Sequence, residues 1–107
     1  MKADQSLEKY KEAAAWMLLL KNVFVKAFVA ADGILTRQEI RPFDKFEEGL
    51  VEVNSILDTD MFTYHKDDWD SRVFYGRLSP GSFDTEIDKE VREMAKSYMK
   101  DLFEEGA

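Results

Sequence analysis

Apolar residues recur at three- and four-residue spacing through most of this chain, which is the period of an α-helix. Between Asp4 and Ala31 they include Trp16, Leu19, Leu20, Val23, Phe24, Ala27 and Phe28, and Leu18, Val25 and Val29 widen the face. The spacing predicts a first helix over 4–31, capped by Asp4, with Glu8 early, where the helix dipole favours an acid. A helix apolar on most sides has to be enclosed by others, so this one is expected to be the buried axis of the fold. Asp32-Gly33 predicts its end, with Gly33 in a left-handed C-terminal position. Thr36-Arg37-Gln38-Glu39 then matches the S/T-x-x-E capping box. Pro42 follows, so either the new helix bends there, or a short turn ends at Arg41 and the helix starts with Pro42 in its first position. From Phe43 a second helix carries Phe43, Phe46, Leu50, Val53 and Leu57 on one face and Glu47, Glu48 and Glu52 on its wet side.

The pattern weakens over Asp58–Asp70. Met61–Tyr64 and Val73–Tyr75 admit a β-hairpin. The preferred reading is a loop and then a short helix from Asp67 or Asp68 to Leu78, with Trp69, Val73, Phe74 and Leu78 on one face. Ser79-Pro80-Gly81 is a break. A final helix is predicted from Phe83 to Glu104, with Ile87, Val91, Met94, Tyr98 and Leu102 on one face and Ala95 and Met99 beside it. Asp84, Glu86 and Asp88 crowd its positive end, and Gly106 terminates it. The expected fold is all-α and a single domain over 1–107. It is a small four-helix bundle around a long apolar N-terminal helix, with an irregular acidic and aromatic segment at about 58–70.

Composition narrows the function classes. A chain of 107 residues, 45% hydrophobic, has material for one packed core. Cysteine is absent, which excludes a disulfide framework, a thiol nucleophile and Cys-ligated zinc. Net charge is −7, from 15 basic and 22 acidic residues, which argues against direct binding to a nucleic-acid backbone. Residues 13–31 approach the length of a membrane span. Lys21, Asn22 and Lys26 interrupt them, however, and a charge near a bilayer centre costs about 3 kcal/mol on insertion scales. No net-basic start or small-residue cleavage site marks a secretory leader. The expectation is a cytoplasmic protein with no membrane contact.

Charge is unevenly placed. Residues 1–57 hold 8 basic and 9 acidic residues, net −1, and residues 58–107 hold 7 and 13, net −6. The densest acidic group is Asp58, Asp60, Asp67, Asp68 and Asp70, interleaved with Phe62, Tyr64, Trp69, Phe74 and Tyr75. Carboxylates beside flat aromatic surface suit a basic protein partner, because charge steers the approach and rings supply contact energy. The same residues also suit a plainer role, with the aromatics pinning a solvated loop to the core.

Catalytic motifs are missing. There is no phosphate-binding glycine loop, no dinucleotide fingerprint, no H-E-x-x-H and no nucleophile elbow. The lone histidine, His65, has no serine in nucleophile context; with Asp67 or Asp68 it admits joint ligation of a divalent ion. Residues 31–39 match the second half of a calcium-binding EF-hand loop. The first half fails, because Phe28 and Ala30 stand where the first two ligands belong. Gly33 as a helix end, with Thr36 and Glu39 as the next cap, accounts for the same residues.

The run Ala31-Asp32-Gly33, an apolar turn and then Thr36-x-x-Glu39, flanked by helices, resembles the tellurite-resistance TerB-like domains. That resemblance covers Ala31–Glu39 and the apolar helix before it. It implies a small helical bundle linked to stress response and metal association, with Asp32 and Glu39 as the residues carried over.

Three functions are therefore expected of this chain. The leading one is a non-enzymatic binding module, without a cofactor, that inhibits or masks a basic, nucleic-acid-handling partner, as immunity proteins and phage anti-defence proteins of the anti-CRISPR type do. Its contact residues would be Asp58, Asp60, Tyr64, Asp67, Asp68, Trp69 and Asp70. The second is a TerB-like, metal-associated stress domain using Asp32 and Glu39. The third is a structural subunit of a larger assembly, in which the first helix keeps an apolar face that its own chain does not cover.

Overall fold

The computed structural model describes residues 5–70, 72–75 and 85–105. The described residues form four α-helices: α1 (Leu7–Asp32), α2 (Pro42–Tyr64), α3 (Arg72–Tyr75) and α4 (Glu86–Glu105). No strand occurs among the described residues, so Met61–Tyr64 and Val73–Tyr75 are helical and do not form a hairpin. The bundle is all-α, as its 3.6-residue periodicity requires.

The core lies at one end. Tyr10, Ala14, Ala15, Leu18 and Leu19 of α1 pack with Met61 of α2, Val73 and Phe74 of α3, and Val91 and Ala95 of α4. Small side chains at 14, 15 and 95 let α1 and α4 approach closely, and this is the most extensive helix pair of the molecule. Lys11, almost buried, joins the two helices by pairing with Glu90 of α4 at 3.0 Å and with Glu8 at 3.2 Å. The Glu90 carboxylate holds the Lys11 ammonium above its ordinary pKa, opposed by burial and assisted by Glu8. Trp16 and Tyr98 stack at 4.8 Å and 15°. Removal from water raises the Tyr98 pKa, with Glu12 and Glu8 adding to the effect.

α1 and α2 run antiparallel. At one end Phe24 and Phe28 both meet Phe43, at 5.7 and 5.6 Å. At the other, the His65 ring lies edge-on to Tyr10 at 5.5 Å, and its Nε2–H donates to the Gln5 carbonyl. The link between the helices uses the expected capping box. The Thr36 amide donates to Glu39 Oε1 at 2.9 Å, and the Glu39 amide to Thr36 Oγ1 at 3.2 Å. Those bonds stabilise the charged carboxylate and hold Glu39 below its usual pKa. The box closes a turn over 37–41, and α2 then begins with Pro42 in its first position.

Several expectations are corrected. α1 starts at Leu7 after Ser6, whose side chain makes no capping bond; Asp4 lies outside the described residues. Gly33 closes α1 with φ −71°, ψ −12°, so its cap is right-handed. α2 does not stop at Leu57. It continues to Tyr64, so Asp58 and Asp60 stand on a helix and the irregular part among the described residues shrinks to 65–70. Of the short helix expected from 67 or 68 to 78, residues 67–70 are not helical and Arg72–Tyr75 are; residues 71 and 76–84 are outside the described set. α4 begins at Glu86 and reaches Glu105, while Phe83, Asp84 and Gly106 are likewise outside.

The largest correction concerns the axis. Among the described residues, the buried side chains of α1 all lie in its first half, between Tyr10 and Leu19. Beyond Leu19, α1 and the first half of α2 form an arm in which Leu20, Val23, Val25, Val29, Phe46, Val51, Val53 and Ile56 are exposed. The radius of gyration is 15.4 Å, against about 13 Å for a compact domain of this length.

Candidate functional site

The acidic and aromatic segment folds largely upon itself. One turn of helix separates Asp58 from Phe62, and the 65–68 turn swings Trp69 back over both. Trp69 Nε1–H donates to Asp58 Oδ1 at 2.9 Å, and its ring meets Phe62 edge-on at 5.0 Å. Lys66 Nζ stands 5.8 Å from the Phe62 ring centre, a cation over an aromatic face. Trp69 is half-buried against the core. Asp60 and Asp70 are half-buried and have partners within the chain. Of the seven residues expected to meet a partner, the fold thus brings Asp58 and Trp69 together as an internal latch. Tyr64, Asp67 and Asp68 are left facing solvent. Phe74 is core, and Tyr75 is exposed.

His65 belongs to the same latch. Its Nε2–H is directed at the Gln5 carbonyl, which can only accept, and this ties the turn to the start of α1. Among the described residues no group of three His, Asp or Glu side chains is placed to hold a metal ion. Asp32, at the end of α1, and Glu39 are both exposed, and one Glu39 oxygen is engaged by the Thr36 amide.

The arm is the other surface, and its pattern splits in a way the linear spacing does not display. On α2, Phe43, Leu50 and Leu57 turn inward with Asn54 and Met61, whereas Phe46 and Val53 turn outward. Phe46, Gly49, Val53 and Ile56 follow a 3-4-3 spacing and form a separate exposed stripe. On α1, Leu20, Val23, Ala27 and Ala30 follow the same spacing and are exposed too. Helix geometry relates the two stripes. α1 faces α2 through Phe24 and Phe28, and α2 faces α1 through Phe43. For right-handed helices running antiparallel, the 100° step per residue sets both stripes on one side of the plane of the hairpin.

Two concavities accompany the arm. One, of about 500 Å³, is almost wholly apolar; Trp16, Leu19, Leu20, Val23, Met99 and Leu102 line it, with Asn22 and Lys26 at its margin. Leu102, expected on the core face of α4, therefore lies past the end of the core. The other is a shallow groove of about 700 Å³ along α2, with Asp44, Glu47, Glu48 and Glu52 around Val51 and Ile56. A sequence signal for the arm exists: α2 has apolar residues in two registers at once, 43-50-57 and 46-49-53-56. A helix buried on one side needs only the first.

The arrangement defines an all-helical chain with a closed core at one end and an unpartnered two-helix apolar arm at the other. No family model, no curated protein and no solved structure matches it.

Proposed function

We propose that this chain is a non-enzymatic binding module whose docking element is the α1–α2 arm, acting as a subunit that completes its fold against another protein surface. The observation that supports this reading is the exposure of ten large apolar side chains between Leu20 and Ile56, from 38% at Leu35 to 83% at Ile34. Scattered exposed apolar residues are ordinary, but five of these, Leu20, Val23, Phe46, Val53 and Ile56, lie on the two stripes that share one side of the hairpin, and a grouped apolar face is a mark of an interaction surface. The 58–70 segment supports the reading less, because its tryptophan and one of its carboxylates satisfy each other.

Placing a photoreactive side chain at Val23, Phe46 or Val53, and for comparison at Tyr64 or Asp67, tests this in the host cell. Covalent adducts from the arm positions are expected. Adducts from Tyr64 and Asp67 alone, or from none of the five, would sink it. A basic, nucleic-acid-handling partner is a second reading, favoured by the acidic groove of α2. Under that reading, association weakens steeply as salt is raised and charges are screened.

A further inference from the structure

Three features at the outward edge of α2 have no explanation within a single chain. Gly49 sits inside a 23-residue helix, where glycine is a weaker helix former than alanine. Its φ is not positive, and a Cβ built on it would meet no atom within 4 Å. Neither backbone conformation nor packing in the monomer requires a glycine there. Phe46 and Val53, flanking it on the same stripe, are 67% and 44% exposed. Lys45 and Glu52 border the stripe on one side, both exposed, and neither forms an ion pair among the described residues.

We propose that a second copy of this chain occupies this face, with the two α2 helices packed antiparallel across a twofold axis beside Gly49. The proposal rests on the arm being the docking element. A twofold contact is self-complementary, so each pairing is made twice. An axis beside Gly49 sets Phe46 opposite Val53 of the second copy and the two glycines opposite each other. Two helix backbones can approach closely where neither carries a Cβ, and a phenylalanine needs such a recess beside it to pack without strain. The same operation brings Lys45 within reach of Glu52 of the second copy, twice. A parallel twofold would carry the Lys45–Glu52 border of one copy to the opposite side of the contact from that of the other, and neither Lys45–Glu52 pair would form, so charge favours the antiparallel arrangement.

The α1 stripe lies on the same side of the hairpin and is covered by the same docking. Two hairpins thus close into a four-helix arrangement. A lipid surface would have to accept Lys45 and Glu52 along with the stripe, and it has no use for their spacing.

Sedimentation velocity of the full chain from about 1 to 100 μM at about 0.15 M salt measures this, in the range where modest interfaces assemble. The mass is expected to rise from 12.5 kDa toward twice that value. Gly49→Leu fills the recess and is expected to weaken dimerisation by about tenfold or more, with helix content by circular dichroism unchanged. Lys45→Glu weakens it by replacing attraction with repulsion. Lys45→Glu combined with Glu52→Lys restores it to within about threefold, since the swapped pair regenerates both contacts.

A chain that stays monomeric to 100 μM overturns the inference. So does a charge swap that fails to restore association, or depletion by anionic phosphatidylserine vesicles at concentrations where no dimer forms. If the chain is monomeric while Phe46 and Val53 still give adducts to another protein, the second copy is excluded and the arm reading stands. If all five positions give no adduct, the arm reading fails as well.

Discussion

Met61 and Val29 are both apolar residues on long helices, and the structure assigns them very different energies. Met61 is fully buried where α1, α2 and α3 meet, whereas Val29 is 63% exposed on the arm. Met61→Ala removes three heavy atoms. At about 0.8 kcal/mol per buried methylene-sized group the transfer loss is about 2.4 kcal/mol, and the unfilled cavity brings the total to about 3 kcal/mol. Val29→Ala removes two methyl groups, worth about 1.6 kcal/mol if fully buried and about 0.6 kcal/mol at this exposure. Alanine returns about 0.5 kcal/mol through its higher helix propensity, so the net change is close to zero. Val29 also lies off the 20-23-27-30 stripe, so assembly leaves this comparison intact. Urea unfolding followed by circular dichroism at 222 nm measures both variants. A midpoint drop for Met61→Ala of about 3 kcal/mol divided by the m-value, beside an unchanged Val29→Ala, is expected. Equal losses would mean that the arm is covered in the folded chain, and the division into core and arm would be wrong.

Asn54 is buried on the same face of α2 as Met61, and its side-chain oxygen has no hydrogen-bond partner among the described residues; Asn54→Leu is therefore expected to raise stability by about 1–2 kcal/mol in the same assay. Lys11 and Tyr98 both have pKa values raised by folding. Their protonated forms thus favour the fold, and this stability is complete below their ordinary values near pH 10 and is lost as pH rises through the folded ones. The urea midpoint should fall above about pH 10, and Lys11→Met should flatten that fall, leaving the part due to Tyr98. Trp69→Phe keeps an aromatic ring on Phe62 but strips the donor from Asp58; a loss of about 1 kcal/mol and faster amide exchange at residues 65–69 are expected.

The helical class, the positions of the long helices and the Thr36–Glu39 box were legible in the sequence because each depends on near neighbours. Apolar period, capping pairs and Pro42 act within one or two turns, and no distant contact reverses them. The acidic and aromatic segment was legible as a cluster but not as a latch. That Asp58 would meet the indole of Trp69, and not solvent, required α2 to run on to Tyr64 and the turn to fold back. The extent of burial was beyond local reading altogether. Leu19 and Val23 are both apolar and one turn apart on α1, yet only Leu19 is covered, because the core of described residues closes around the first half of the helix. An amphipathic pattern states that a face will be buried, through the hydrophobic effect, but does not state by what. Tertiary structure decides how much of each stripe its own chain can reach, and here it stops short at α1 residue Leu20 and at the Phe46–Ile56 edge of α2.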